Sequence, residues 1–174
     1  MISLNQVLIS SDSHGLTDEL QIIKDRHQLN DNIHCGDSEL REESPYLHGF
    51  LTVKGNCDWL GQFPNEKVVE IDGLRFFIVH GHHHHVKSSL LKLTLAAKEI
   101  KADVVCFGHS HVPYADVIDG QLFINPGSIR LPKQYDKPSY VIVNWTNRDN
   151  VQVNFYDLNG NKLEDLSKNF NINN

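Results

Sequence analysis

Side chains able to bind metal ions recur along this chain where apolar stretches end. Val7-Leu8-Ile9 runs into Ser10-Ser11-Asp12-Ser13-His14, and later stretches stop at Gly36-Asp37, Gly55-Asn56-Cys57-Asp58, His80-Gly81-His82 and Gly108-His109-Ser110-His111. The candidate ligands are Asp12, His14, Asp37, Asn56, His80, His109 and His111. Carboxylates, an amide oxygen and imidazoles make a mixed donor set, suited to Mn2+, Fe, Zn2+ or Ni2+ rather than Ca2+. So many donors exceed what one tetrahedral ion takes; they suit two ions sharing a carboxylate, with positions left for water and substrate. Two ions roughly 3.5–4 Å apart can hold an attacking hydroxide and a phosphoryl oxygen together. The donor count points to a binuclear hydrolase.

Such donors converge only if the elements before them end at a common rim. Gln6 to Ser10 reads as a buried strand. Leu16, Leu20, Ile22, Ile23 and Leu29 recur near helical spacing, which predicts a helix from Thr17 to about Arg26 with Thr17 as N-cap. Asn32 to Cys35 and Leu51 to Val53 read as short strands. Ser38 to Glu43 has the composition of an exposed helical turn that Pro45 closes. Val68 to Ile71 and Leu74 to Val79 flank Asp72-Gly73, a strong hairpin signal. Ser88 to Ile100 predicts a well-buried helix capped by Ser88 or Ser89, followed by a strand at Val104 to Phe107. Beyond that, Tyr114 to Ile118, Leu122 to Asn125, Tyr140 to Trp145 and Val151 to Tyr156 are strands separated by short turns. Helices alternating with strands, then hairpins, predict an α/β fold of two mixed sheets packed as a sandwich with helices outside. A single domain is expected over residues 1–167, with a polar tail from 168 to 174 that frays.

The 174 residues are 40% apolar and 22% charged, ordinary values for a globular chain. No apolar run approaches the roughly 20 residues that span a bilayer, and no signal-peptide pattern is visible, so a cytoplasmic setting without a membrane partner is expected. A net charge of −6 with no Lys/Arg run argues against tight binding to long nucleic acid. Cys35, Cys57 and Cys106 form no CxxC pair, and buried inert thiols are the reading for Cys35 and Cys106.

The ordered set Asp12-x-His14, Gly36-Asp37, Gly55-Asn56, His80-Gly81-His82 and Gly108-His109-x-His111, followed by Asn125-Pro126-Gly127-Ser128, resembles the calcineurin-like metallophosphoesterase superfamily. It is most similar to that family's small single-domain bacterial and archaeal branch, the YfcE-type phosphodiesterases. One such motif is weak; five in the right order are strong. The resemblance implies a four-layer α/β/β/α fold and two divalent ions, Mn2+ first among them. Asp12, His14, Asp37 and His111 would hold one ion; Asp37, Asn56, His80 and His109 would hold the other, with Asp37 bridging. A metal-bridging water or hydroxide would attack phosphorus in line on a small phosphoester substrate, most often a phosphodiester.

Cys57 departs from the pattern of many superfamily members, which carry histidine directly after the motif's asparagine. A thiol is a poor general acid near neutral pH, so leaving-group protonation falls to His82 or a bound water, or the substrate has a good leaving group. Asp58 either orients His14 or another ligand, or serves turn chemistry. His83, His84 and His85 read as solvated loop residues, His27, His34 and His48 as structural or surface ones, and Arg130 as a phosphate contact or a surface charge. A protein-interaction scaffold of the Vps29 type resembles the same branch and forms the alternative function. Seven intact ligand positions favour the enzyme over it, and over a metal-buffering role suggested by the eleven histidines. No insertion is long enough to build a substrate cap, and homo-oligomerisation is left open.

Overall fold

The computed structural model describes residues 4–173. The elements in order are β1 (Asn5–Ser10), α1 (Asp18–His27), β2 (Asn32–His34), β3 (Phe50–Thr52), β4 (Glu66–Ile71), β5 (Leu74–Val79), α2 (Leu91–Ile100), β6 (Val104–Cys106), β7 (Tyr114–Ile118), β8 (Gln121–Asn125), β9 (Ser139–Asn147), β10 (Asn150–Asp157) and β11 (Lys168–Phe170). They form a six-stranded sheet, β11-β10-β9-β1-β2-β3, and a five-stranded sheet, β4-β5-β6-β8-β7. β1, β2 and β3 run parallel in the first sheet, and β5, β6 and β8 run parallel in the second. Each parallel trio therefore sends its C-terminal ends to one edge of its sheet.

The strand sequences are apolar on both faces because both faces are buried. Val7, Ile9, Phe76, Ile78, Val104, Cys106, Leu122, Ile124, Val141 and Val143 point between the sheets. Their neighbours point outward: Leu8, Tyr140 and Ile142 pack against Leu20 and Ile23 of α1, while Phe77, Val105 and Phe123 pack against Leu93 and Ala97 of α2. This gives the expected sandwich with one helix outside each sheet. No described helix is long and apolar enough to cross a membrane. The Asp72-Gly73 hairpin forms with φ of 44° and 82° at its two central residues, as a type I′ turn requires.

Several local details differ from expectation. Ser38 to Glu43 is not helical, and Pro45 opens a 3-10 turn (Pro45–Leu47) instead of closing one; its fixed φ suits a first helical position. Thr17 occupies the N-cap of α1 without capping through its side chain. α2 starts at Leu91 because residues 85–89 are used in a turn that folds Val86 over Gly81, and Ser89 Oγ accepts the Leu91 N–H at 3.1 Å. The helix is also buried on one face only, with Leu91 and Leu95 exposed. The tail expected to fray instead pairs with β10 through Lys168–Phe170, and Ile172 is buried with its N–H on the Arg148 carbonyl at 2.8 Å. Asn174, part of the same expectation, lies outside the described residues.

Candidate metal centre

The loops leaving the parallel strands are tied together by their backbones. Asp12 N–H donates to the Gly36 carbonyl and His14 N–H to the Asp37 carbonyl, both at 3.0 Å, while Gly108 N–H donates to the His80 carbonyl at 2.9 Å. Asp12, His14, Asp37, His109 and His111 all adopt left-handed backbones, with φ between 43° and 66°. Such conformations cost free energy at residues other than Gly and cluster at functional sites. Two glycines make the approach possible. A Cβ on Gly55 would stand 2.0 Å from Asp37 Oδ1, and one on Gly108 would stand 2.1 Å from Ser11 Oγ and 2.5 Å from Asp12 Oδ2.

Two of the three possible ligand groups among the described residues hold only expected residues; the third, His14, Glu39 and Cys57, shares His14 with the first. Asp12, His14 and His111 form the first; Asp37, His80 and His109 form the second, each with donor atoms within 4.8 Å of one another. In the first, Asp12 Oδ1 lies 3.1 Å from His111 Nε2, and His111 Nε2 lies 3.3 Å from His14 Nε2. In the second, His80 Nε2 lies 3.2 Å from Asp37 Oδ2 and 3.1 Å from Asn56 Oδ1. Asp12 Oδ1 also stands 3.9 Å from His80 Nε2, so it reaches imidazoles of both groups. Asp37, the expected bridge, spends Oδ1 on the Cys57 N–H at 2.7 Å.

The imidazole tautomers follow from their partners. Nδ1 of His80 faces the Cys35 carbonyl and Nδ1 of His111 the Leu131 carbonyl, each at 2.7 Å; Nδ1 of His14 faces Glu39 Oε1 at 2.6 Å. A carbonyl or carboxylate only accepts, so each Nδ1 carries the proton and each Nε2 turns a lone pair toward the carboxylates. Lone pairs then face lone pairs at 3.1–3.3 Å, and Asp12 Oδ1 is buried with no hydrogen-bond partner. That arrangement is unfavourable until a cation enters. Donors about 2.1 Å from one ion, at right to tetrahedral angles, stand roughly 3.0–3.4 Å apart; the Asp12–His111, His14–His111, Asp37–His80 and Asn56–His80 pairs do, while His14 Nε2 stands 3.8 Å from Asp12 Oδ1. The residues fit divalent ions.

The electrostatics agree. Burial would raise Asp12, but the close approach of His111 and the charges of His80 and His111 prevail and hold it below its ordinary value. Burial likewise opposes ionisation of Asp37, yet His80, the Cys57 N–H and the charge of His14 hold its carboxyl well below the usual carboxylate range. His80 is pushed down by burial but raised on balance by Asp37 and Asp12, and His111 is raised chiefly by Asp12. Carboxylates that draw a proton to these rings draw a metal cation equally well. His109 goes the other way, to about 4, through burial and the neighbouring charge of His80.

The structure places the remaining candidates differently. Asp58 does not orient His14. Its buried carboxylate accepts the N–H groups of Asp37 at 2.8 Å, Gly55 at 2.7 Å and Glu39 at 2.7 Å, and so joins the loops after β2 and β3. The group that orients His14 is Glu39, which has no sequence signal separating it from Glu42 and Glu43. His82 stacks near the centre, its ring 5.3 Å from that of His80, with Nδ1 buried and unpartnered and its pKa lowered to about 4 by burial and His80. Burial and Asp37 push the Cys57 thiol up to about 11, so it stays protonated at neutral pH and is a weak acid. Arg130 donates to the His14 carbonyl. Asn125 and Ser128 are braces: Asn125 Nδ2 donates to the Gly108 carbonyl at 3.0 Å, and Ser128 Oγ to the Asp12 carbonyl at 2.8 Å.

Comparisons with known proteins give the family. Residues 6–148 match the calcineurin-like phosphoesterase superfamily domain. "Probable metallophosphoesterase YsnB" of Bacillus subtilis is 48% identical over 162 residues, 92% of this chain and 95% of that protein. Phosphodiesterase MJ0936 of Methanocaldococcus jannaschii is 33% identical, over 68% of this chain and 81% of its own. Among solved structures, a predicted phosphoesterase from Streptococcus pneumoniae superposes with a TM-score of 0.92 at 32% identity, covering 98% of this chain and 99% of that one. Vacuolar Protein Sorting 29 from Cryptosporidium parvum superposes at 0.78 with 19% identity, covering 97% and 98%, a likeness of fold alone. The chain belongs to the calcineurin-like phosphoesterase superfamily and is a metal-dependent phosphoesterase, a hydrolase.

Proposed function

We propose that the protein is a phosphodiesterase working with two divalent ions, Mn2+ foremost. Asp12, His14, Asp37 and His111 would hold one ion and Asp37, Asn56, His80 and His109 the other. The observation that carries this is the convergence of Nε2 lone pairs on two buried carboxylates while every Nδ1 with a protein partner is pinned. Bound ions supply an activated water for in-line attack on phosphorus and positive charge opposite the phosphoryl oxygens. The chain's own residues do the positioning. Asp58 fixes the backbone that presents Asp37, and Ser128 fixes that of Asp12. Asn56, exposed at the mouth, presents its amide to the substrate as well as to His80. His82, neutral near pH 7, would orient a water toward the leaving group, since the Cys57 thiol is too weak an acid to protonate it. An interaction scaffold on this fold requires none of these candidate ligands, and their presence in the sequence supports the enzyme.

The test is hydrolysis of bis(p-nitrophenyl) phosphate by protein as purified, after chelation and after Mn2+ is returned, with Asp37→Asn and His80→Ala alongside. Activity should vanish on chelation, return with Mn2+, and fall on the order of a thousandfold or more in both variants. Folded protein without turnover under any divalent metal would refute the reading.

A further inference from the structure

Beside the second ligand group lies a cleft of about 450 Å³ walled by Leu90, Phe107 and Tyr114, with Ser110 at its inner edge and Lys87 and Lys133 at its rim. Its position ties it to the metal centre by covalent chain. Ser110 sits between His109 and His111; Phe107 directly precedes Gly108-His109; Lys133 N–H donates to the His111 carbonyl at 3.0 Å. The volume suits one drug-sized group. The Phe107 and Tyr114 rings stand 6.3 Å apart at 57°, leaving an aromatic wall of the kind on which a further flat ring packs at an offset or on edge.

We propose that this cleft is the ester-group subsite of the phosphodiesterase site and seats an aromatic ring of the substrate. The proposal rests on the reading of the metal centre given above. Ser110, which lines the cleft, is flanked in the chain by His109 of one ligand group and His111 of the other, so the apolar Leu90–Phe107–Tyr114 wall adjoins both groups. Lys87 and Lys133 at the rim attract the anionic linkage into the cleft and away from bulk water. No cap is needed for selectivity, because the wall comes from the turn before α2, the end of β6 and the start of β7. Selectivity then arises from the ring and not from the phosphate, which any two-ion site accepts.

The experiment is calorimetric titration of the Mn2+-loaded full chain with methylphosphonate, phenylphosphonate and thymidine 5′-phosphate, on wild type and on two variants. Leu90→Trp fills the cleft, and Tyr114→Ala removes its aromatic wall; neither residue belongs to the metal machinery. Wild type should bind at least one aromatic ligand ten times or more tighter than methylphosphonate, and both variants should bring that ratio below about three while methylphosphonate affinity stays within twofold. A preference for phenylphosphonate would identify a simple aryl group; one for thymidine 5′-phosphate would identify a nucleoside. If methylphosphonate binds and neither aromatic ligand binds better, the subsite is refuted and the metal centre stands. If no phosphonate or phosphate binds to the loaded protein, the reading beneath it fails as well. An aromatic preference kept intact in both variants would place the ring elsewhere and overturn the proposal.

Discussion

The two ends of the sandwich are closed by opposite means. At the end where the parallel strands begin, protein groups meet as donor and acceptor. Trp145 Nε1 donates to the Asp72 carbonyl at 3.2 Å, and Arg148 pairs with Asp103 while also donating to the Gly73 carbonyl at 3.2 Å. At the end where those strands finish, acceptor meets acceptor. The first sheet contributes Asp12, His14, Asp37 and Asn56; the second contributes His80, His109 and His111, and Nε2 of His14, His80 and His111 turns a lone pair inward. One seam is complete in protein alone. The other is completed only by cations, so the functional end is also the one whose cohesion depends on solution conditions.

Metal removal should therefore produce the largest effect. Mn2+ at about 100–1,000 times its Kd stabilises a folded site by about 3–4 kcal/mol, a Tm rise of roughly 5–16 °C for a chain of this size. Scanning calorimetry with and without chelator checks it, and an unchanged Tm would mean that the two ends do not differ as described.

The next effect comes from a histidine that is not a ligand. His34 is fully buried; its Nδ1 accepts the Gly36 N–H at 3.2 Å, so its Nε2 donates to Ser13 Oγ at 2.9 Å, the reverse of the tautomer at His14, His80 and His111. Burial lowers its pKa to about 4 from 6.5. The unfolded chain takes up the proton first, so the stabilising contribution is full above pH 6.5 and declines as pH falls toward 4, by about 3 kcal/mol in all. Urea unfolding of the metal-free protein between those pH values should show a shallower dependence in His34→Gln. Equal slopes would remove the distinction between the two kinds of histidine.

Glu39→Gln should be milder. The carboxylate that orients His14 is half exposed, and loss of such a partner typically weakens metal affinity or activity by about 10–100-fold; Mn2+ titration of the variant measures it. The smallest effect belongs to the other end. Arg148→Ala breaks a partly exposed pair and should cost on the order of 1 kcal/mol. Its decisive feature is that the cost is the same with and without Mn2+.

Much of the candidate ligand set was readable because each donor follows a strand of unmistakable apolar pattern, and Asp72-Gly73 announced its hairpin through turn chemistry that is local. What escaped was set by distance along the chain. Asp58 finds its donors at Asp37 and Glu39, and Ser128 finds Asp12, with no periodicity linking them. The ordered tail failed for the same reason: Lys168–Phe170 is polar in sequence and becomes a strand because β10 offers it an edge.

The left-handed backbones at Asp12, His14, Asp37, His109 and His111 carry a consequence for how this site can decay over generations. Asp, Asn, His and Gly enter that conformation most cheaply, whereas a β-branched residue pays in backbone strain as well as lost ligation. A lineage that abandons metal binding while keeping the fold should drift at these five positions toward Asn, Gly or one another before it admits Val, Ile or Thr. The backbone would thus preserve the outline of the centre long after its chemistry had gone.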